Sequence, residues 1–125
     1  MNELLASAPA AVAVEDPPAL DMSVIEGLRA LADGDDTMVA EIVAAFLADA
    51  EDRLQKMHRA IADSDETAAR RAAHSLKGMS GSIGAAHLSD LSHDLEKAVA
   101  GTIKIARVDA LAWEFGRVSA ALKTV

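Results

Sequence analysis

Residues 37–62 read TMVAEIVAAFLADAEDRLQKMHRAIA, and within them Val39, Val43, Phe46, Leu47, Ala50, Leu54, Met57 and Ile61 recur at steps of three and four. That spacing lays the apolar side chains along one stripe of a long α-helix, whereas a strand would alternate with a period of two. The flanking chain repeats the pattern in shorter pieces. A short helix is predicted from after Asp21, a suitable N-cap, to about Leu31, and Asp33-Gly34-Asp35-Asp36 breaks it off. Asp63-Ser64-Asp65 turns the chain and caps a third helix through about Ile83. After Gly84, a fourth helix carries Leu88, Leu91, Leu95 and Val99, with Gly101 expected to close it. A fifth, from about Val108 to Leu122, aligns Leu111, Phe115, Val118 and Leu122. Long amphipathic helices with short connections pack as antiparallel neighbours. The expected fold is all-α: an antiparallel four-helix bundle with a short additional N-terminal helix.

Composition points the same way. The chain has 125 residues, enough for one compact domain, and 51% are apolar, 28 of them Ala. Ala is the strongest helix former, and little β-branched or aromatic content is left for a sheet. A net charge of −8 argues against nucleic acid and anionic membranes as partners. With no Cys there is no disulfide, thiolate nucleophile or Cys-based zinc site. No apolar run is long enough to span a bilayer, and the N-terminus lacks the basic front of a secretory signal, so a cytoplasmic location is expected. Residues 1–20, Ala-rich and interrupted by Pro9, Pro17 and Pro18, read as a flexible tail or linker, and residues 21–125 as the bundle. Charge divides unevenly: residues 1–52 hold 12 of the 20 acids and a single base, Arg29, whereas six bases face three acids between Arg53 and Lys77.

The third helix carries the chemistry. At 100° per residue, Ala69, Ala72, Ala73, Leu76, Ser80 and Ile83 cluster on one side, which must be the buried one. His74 points away from them, with Arg70, Lys77, Gly78 and Gly81 around it. No acidic side chain of this helix stands on that outer face. Glycine inside a helix costs about 0.5–1 kcal/mol relative to alanine, so Gly78 and Gly81 imply a gain elsewhere. Bare backbone beside a histidine lets another molecule come close. An exposed neutral imidazole is a nucleophile near pH 7, and Lys77 one turn on could offset the charge of an attached phosphoryl group. The residues alone also allow an ordinary surface histidine among solubilising bases.

The string Ala73-His74-Ser75-Leu76-Lys77-Gly78-Met79-Ser80-Gly81-Ser82-Ile83-Gly84-Ala85, followed by Leu88, Leu91 and Leu95-Glu96, resembles the histidine-containing phosphotransfer (HPt) domain. The likeness spans about residues 21–122. It implies a phosphorelay intermediate in which His74 accepts a phosphoryl group from a receiver-domain aspartyl phosphate and passes it to another receiver aspartate. Under the resemblance Lys77 neutralises phosphoryl charge, and Glu96 accepts a bond from Nδ1–H and leaves Nε2 free; the residues alone equally allow Glu96 as a solvated charge on the fourth helix. Gly78 and Gly81 would give a docking receiver room, with Arg70 beside them. The implied partners are response-regulator receiver domains, including those of a hybrid histidine kinase. Such a domain is a monomeric phosphoryl carrier without kinase activity, with no cofactor of its own and Mg²⁺ supplied by the receiver. Similar strings occur in the phosphoacceptor domains of chemotaxis kinases, but the dimerisation and ATP-binding segments of those proteins have no counterpart in this sequence. An independent relay protein or a piece of a hybrid kinase fits better. Met79 departs from the family's small residues and is expected to pack at the core's edge.

A helical adaptor that binds a partner without carrying phosphate is the competing reading, and it would use the same glycine-bordered face. Metal binding is disfavoured. Asp90 and His93 lie one turn apart without the motifs of a metal helix pair, and the Asp33–Asp36 loop lacks calcium-loop spacing. His58 is expected at the edge of the α-helical stripe with its tip in water, and His87 partly buried. Trp113 and Phe115 read as core aromatics, with Trp113 off the apolar line and partly exposed.

Overall fold

The computed structural model describes residues 17–125, which form five helices joined by short connections: α1 (Met22–Leu31), α2 (Asp36–Ala62), α3 (Glu66–Ser82), α4 (Ala86–Glu96) and α5 (Ile105–Leu122). No strand occurs among the described residues. Helix α3 packs between α2 and α4, and α5 closes the ring by packing on both α2 and α4. α1 is the short addition across one end. This is the all-α bundle the periodicity predicts. No helix among the described residues is long and apolar enough to cross a membrane.

Aspartates start three of the helices. Asp21 accepts from Ser23 N–H at 3.0 Å, Asp35 from Thr37 and Met38 at 3.0 and 3.2 Å, and Asp65 from Ala68 at 3.0 Å. Each satisfies donors that a helix N-terminus cannot bond internally. The Asp33–Asp36 segment is therefore a turn that caps α2, with Asp33 and Gly34 both at positive φ. The core gathers one stripe from each helix: Ile25, Met57, Leu76, Leu88, Val108, Leu111 and Val118 are wholly enclosed. Fully burying a side chain of this size stabilises by about 1.5–3 kcal/mol. On α3, Ala69, Ala72, Ala73, Leu76 and Ser80 are buried, as is Ile83 at its end. The inward face assigned from sequence is the observed one. Phe46 and Phe115 meet across α2 and α5 with ring centroids 6.3 Å apart.

Two boundaries differ from the expected ones. α4 stops at Glu96, not at Gly101, because beyond it the apolar stripe has nothing to pack on: Val99 is 73% exposed. Gly101, at φ +85°, instead turns the α4–α5 connection. α5 begins earlier, at Ile105, just after the buried Ile103. Residues 1–16 of the expected tail lie outside the described residues. Of its last four, Leu20 is buried in the core and the Pro17 carbonyl accepts from Arg117 at 2.7 Å, so packed chain reaches back beyond Asp21.

Gly84 locks the junction between α3, α4 and α1. Its φ is +87°, its carbonyl accepts from Asp21 N–H at 2.7 Å, and a Cβ there would lie 2.9 Å from both the Asp21 carbonyl and the Val24 Cβ. Gly84→Ala should therefore combine left-handed backbone strain with a steric clash and cost about 1–3 kcal/mol. Urea denaturation reads this as a lowered midpoint, whereas Gly27→Ala, with open space at its Cβ, leaves the midpoint unchanged or raises it.

Candidate functional site

The outer face of α3 meets the last turn of α4, and there the sequence-predicted residues converge. His74 stands out from the bundle, its side chain 66% exposed. Glu96, the final residue of α4, turns its carboxylate toward α3 and is mostly shielded, at 16% exposure. Its Oε2 lies 2.8 Å from His74 Nδ1, and its Oε1 lies 3.1 Å from Lys77 Nζ. One carboxylate thus holds both residues, one turn apart on the same helix face. The Lys77 contact is an ion pair outside hydrogen-bond geometry, so Oε1 is charge-balanced without a well-aligned donor.

The protonation pattern follows from this geometry. Burial pushes the Glu96 carboxyl up, but Lys77 and His74 outweigh it and hold the group below the ordinary carboxylate range. An ionised carboxylate only accepts, so Nδ1 must carry the hydrogen and donate it. The Nε2 lone pair is then directed away from Glu96, and it has no hydrogen-bond partner among the described residues. A ring fixed in this tautomer and exposed to solvent is prepared to act as a nucleophile at Nε2.

Beneath this surface runs a set of contacts that sequence reading missed. Arg70 is half-buried, donating from Nη1 to the Glu96 backbone carbonyl at 2.8 Å and lying 3.4 Å from Glu66 Oε1 through Nη2. Glu66 Oε2 in turn accepts from Gly101 N–H at 2.8 Å. Both guanidinium ends of Arg70 are therefore engaged inside the molecule, tying α3 to the end of α4. The i,i+4 spacing of Glu66 and Arg70 was visible in the sequence; the partners contributed by residues 96 and 101 were not. Ser89 on α4 adds a further tie, its hydroxyl donating to the Lys77 carbonyl at 3.0 Å.

The two glycines differ. A Cβ on Gly78 would meet nothing within 4 Å, so internal packing gives no reason for glycine there. A Cβ on Gly81 would sit 3.7 Å from the Ser89 hydroxyl, an ordinary contact at the seam with α4. Met79 packs against the core's edge. The remaining candidates lie elsewhere. His58 bonds the Leu54 carbonyl through Nδ1 at 3.0 Å and faces Asp109 through Nε2 at 3.3 Å. His87 is half-buried, and Asp90 and His93 are exposed. Trp113 is 63% exposed with the Arg117 guanidinium 5.8 Å from its ring centroid. Among the described residues no group of three or more His, Cys, Asp or Glu is arranged to hold a metal.

Residues 41–123 match the family model described as the Hpt domain. Among solved structures, the chain is similar to histidine-containing phosphotransfer protein B from Pseudomonas aeruginosa PAO1. The identity is 28% and the TM-score 0.78, over 87% of this chain and 95% of that one. No curated protein sequence matches.

The lowered Glu96 pKa makes a signed prediction. Because the folded value lies below the ordinary value of 4.5, the ionised carboxylate stabilises the fold above about pH 4.5, and this contribution fades as pH falls through the folded value. Glu96→Gln lacks it. Urea titrations at a series of pH values should show the wild type ahead of Glu96→Gln at neutral pH, with the gap closing between pH 4.5 and more acidic conditions. A gap independent of pH would contradict the ionised pairing.

Proposed function

From the premise that this chain belongs to the Hpt domain family, we propose that His74 is the phosphoacceptor of a phosphorelay carrier loaded and unloaded by receiver domains. The observation that carries the reading is the exposed imidazole held through Nδ1 by Glu96, with Nε2 free of any partner among the described residues. The Nε2 lone pair attacks the phosphorus of an aspartyl phosphate, the P–O bond to the aspartyl carboxylate breaks, and a receiver carboxylate leaves. The Nδ1 hydrogen stays on the ring. The ring gains positive charge as the N–P bond forms, and the Glu96 carboxylate 2.8 Å away stabilises it. Running the same step backwards, with the aspartate of a second receiver as nucleophile, returns the imidazole to its neutral form.

Lys77 has a divided role in this scheme. At rest its ammonium is balanced by Glu96 without an aligned hydrogen bond, which leaves it able to swing toward phosphoryl oxygens attached to Nε2. Open space at Gly78 admits the receiver's backbone and side chains close to the ring. Arg70 acts from beneath by fixing the last turn of α4, so its contribution is to the placement of Glu96. The receiver's own carboxylates would bring Mg²⁺ to the shared site, supplying charge stabilisation at the transferring group. Phosphoryl transfer depends mainly on positioning and electrostatics, both of which a docked pair can share. In this reading the protein is a monomeric cytoplasmic carrier, and a kinase domain supplies the phosphate upstream.

Incubation with a phosphorylated receiver and Mg²⁺ should yield acid-labile, alkali-stable phosphate on the protein, and His74→Gln should abolish it. Transfer that persists in His74→Gln overturns the assignment. Binding to receivers without phosphohistidine in the wild type favours a plain adaptor. Removal of a preorganised electrostatic group from an enclosed site costs about 10²–10³ in rate. Lys77 is partly solvated, so Lys77→Ala should slow transfer by about tenfold and lower the urea midpoint only slightly through the loss of its pairing with Glu96, without unfolding the bundle.

A further inference from the structure

Helix α2 changes sign along its length. Up to Asp52 it carries Asp36, Glu41, Asp49, Glu51 and Asp52 with no base, and from Arg53 onward it carries Arg53, Lys56 and Arg59 with no acid. The basic half lies beside the first half of α3, and between them opens a groove of about 460 Å³ whose charged lining is these three residues and Arg71 with Asp63 and Asp65 at one end. Ala60, Ala68 and Ala72 form its floor, so the cations stand as walls around a shallow, uncrowded trough.

The charges of the trough are only partly matched. Asp52 pairs with Arg53 at 2.6 Å and with Lys56 at 3.1 Å, and Arg53 Nε also donates to the Ser75 hydroxyl at 3.0 Å. Arg59 and Arg71 form no ion pair among the described residues, and both are exposed. At the far end, Asp65 directs a carboxylate oxygen to the α3 N-cap, and Asp63 is solvated. A positive excess thus persists in a chain whose net charge is −8. Mutual repulsion of like charges opposes such a cluster unless something outside it benefits.

The position of the trough says what benefits. Arg71 lines both it and the adjoining cleft formed with Thr67, Arg70, His74 and Glu96. Ala68, in the trough floor, precedes His74 by six residues, about 9 Å at 1.5 Å per residue. A protein bound over His74 with a typical footprint of about 800 Å² would cover the trough as well. We infer that the Arg53–Lys56–Arg59–Arg71 trough is an electrostatic docking surface for an acidic face of the same receiver protein that exchanges phosphate with His74. The inference rests on the carrier reading above and adds to it the charge of the partner's surface and where that surface lands. Lys56, Arg59 and Arg71 are exposed to solvent, which suits steering and weak, reversible docking more than capture of a small anion.

Lys56 and Arg59 lie on α2, outside the His74–Lys77–Glu96 cluster, and are exposed, so Lys56→Glu/Arg59→Glu should fold normally. A panel of purified receiver domains from the same genome is tested against the wild type and this double variant for phosphotransfer and for binding at low salt. Uptake of phosphate from phosphoramidate, which needs no docking, serves as the control. Charge steering changes association by about 10–10³-fold, so the double variant should lose about tenfold or more in second-order transfer rate at 50 mM salt, with the deficit shrinking at 0.5 M. Phosphoramidate uptake should be unchanged. Equal transfer rates and salt slopes for the two proteins overturn the docking surface while leaving the carrier reading intact. Receiver binding that the double variant weakens, in the absence of transfer, supports the trough and sinks the carrier reading. No binding and no transfer with any receiver sinks both.

Discussion

The Glu96 carboxylate lies between an imidazole and an ammonium on the neighbouring helix, and its placement sets the requirements on much of the fold around it. To reach His74 Nδ1 and Lys77 Nζ together, it must sit at the last turn of α4 and stay partly out of water. Burial without those partners would raise its pKa and weaken its charge; with them it stays ionised and dictates which ring nitrogen carries the hydrogen. The helix end must therefore be held in place as firmly as the side chain. Arg70 does this from below by bonding the Glu96 carbonyl, and Glu66 links Arg70 to Gly101 in the following turn. At the opposite end of the α3–α4 hairpin, Gly84 lets α1 close over the junction. The exposed histidine is ordered by contacts that are mostly not exposed.

Most of the fold could be read from spacing, because each helix has a single apolar stripe and the connections carry Asp or Gly at the ends. The N-cap at Asp21 and the capping turn ending at Asp65 were visible for the same reason: short acidic side chains immediately ahead of periodic segments have one favoured use. The end of α4 was misplaced because a glycine after an apolar residue looks the same whether it closes a helix or a later turn. Only the absence of a packing partner for Val99 distinguishes the two. His74 was found by its direction, opposite to Leu76 and Ala72, together with a glycine at 78 that no internal contact explains. Gly81 was less clear, since its open face borders Ser89 of α4.

What the sequence could not reveal was pairing between helices. Glu66 and Arg70 look like an ordinary i,i+4 surface pair until α4 brings a carbonyl to one and the next turn an amide to the other. Glu114 falls on the buried side of α5, where an apolar residue would be expected. It is almost wholly enclosed, with Arg117 at 2.9 Å as the partner that makes this tolerable. Arg117 also reaches the Pro17 carbonyl and lies over Trp113, so one side chain anchors the incoming chain, a buried acid and an exposed indole. A one-dimensional pattern shows which residues face inward and is silent about which of them meet.

The outer surface of a bundle is free of the core's demands, so departures from helix-forming economy there are informative. An Ala-rich chain places glycine at 78 with empty space around it, and an acidic chain gathers four cations along one trough. Neither choice improves the isolated fold; the first loses helix propensity and the second adds repulsion. Gly78 lies one turn beyond the imidazole on α3, and the trough adjoins the imidazole's cleft through Arg71. Under the proposed function the protein meets two partners in turn, and this needs contacts that form quickly and release, which favours solvated charge and open backbone over a large apolar interface. The rigid elements of this protein hold one ring in one tautomer, and the costs left on its surface are consistent with a visitor that arrives by charge and departs once the phosphoryl group has moved.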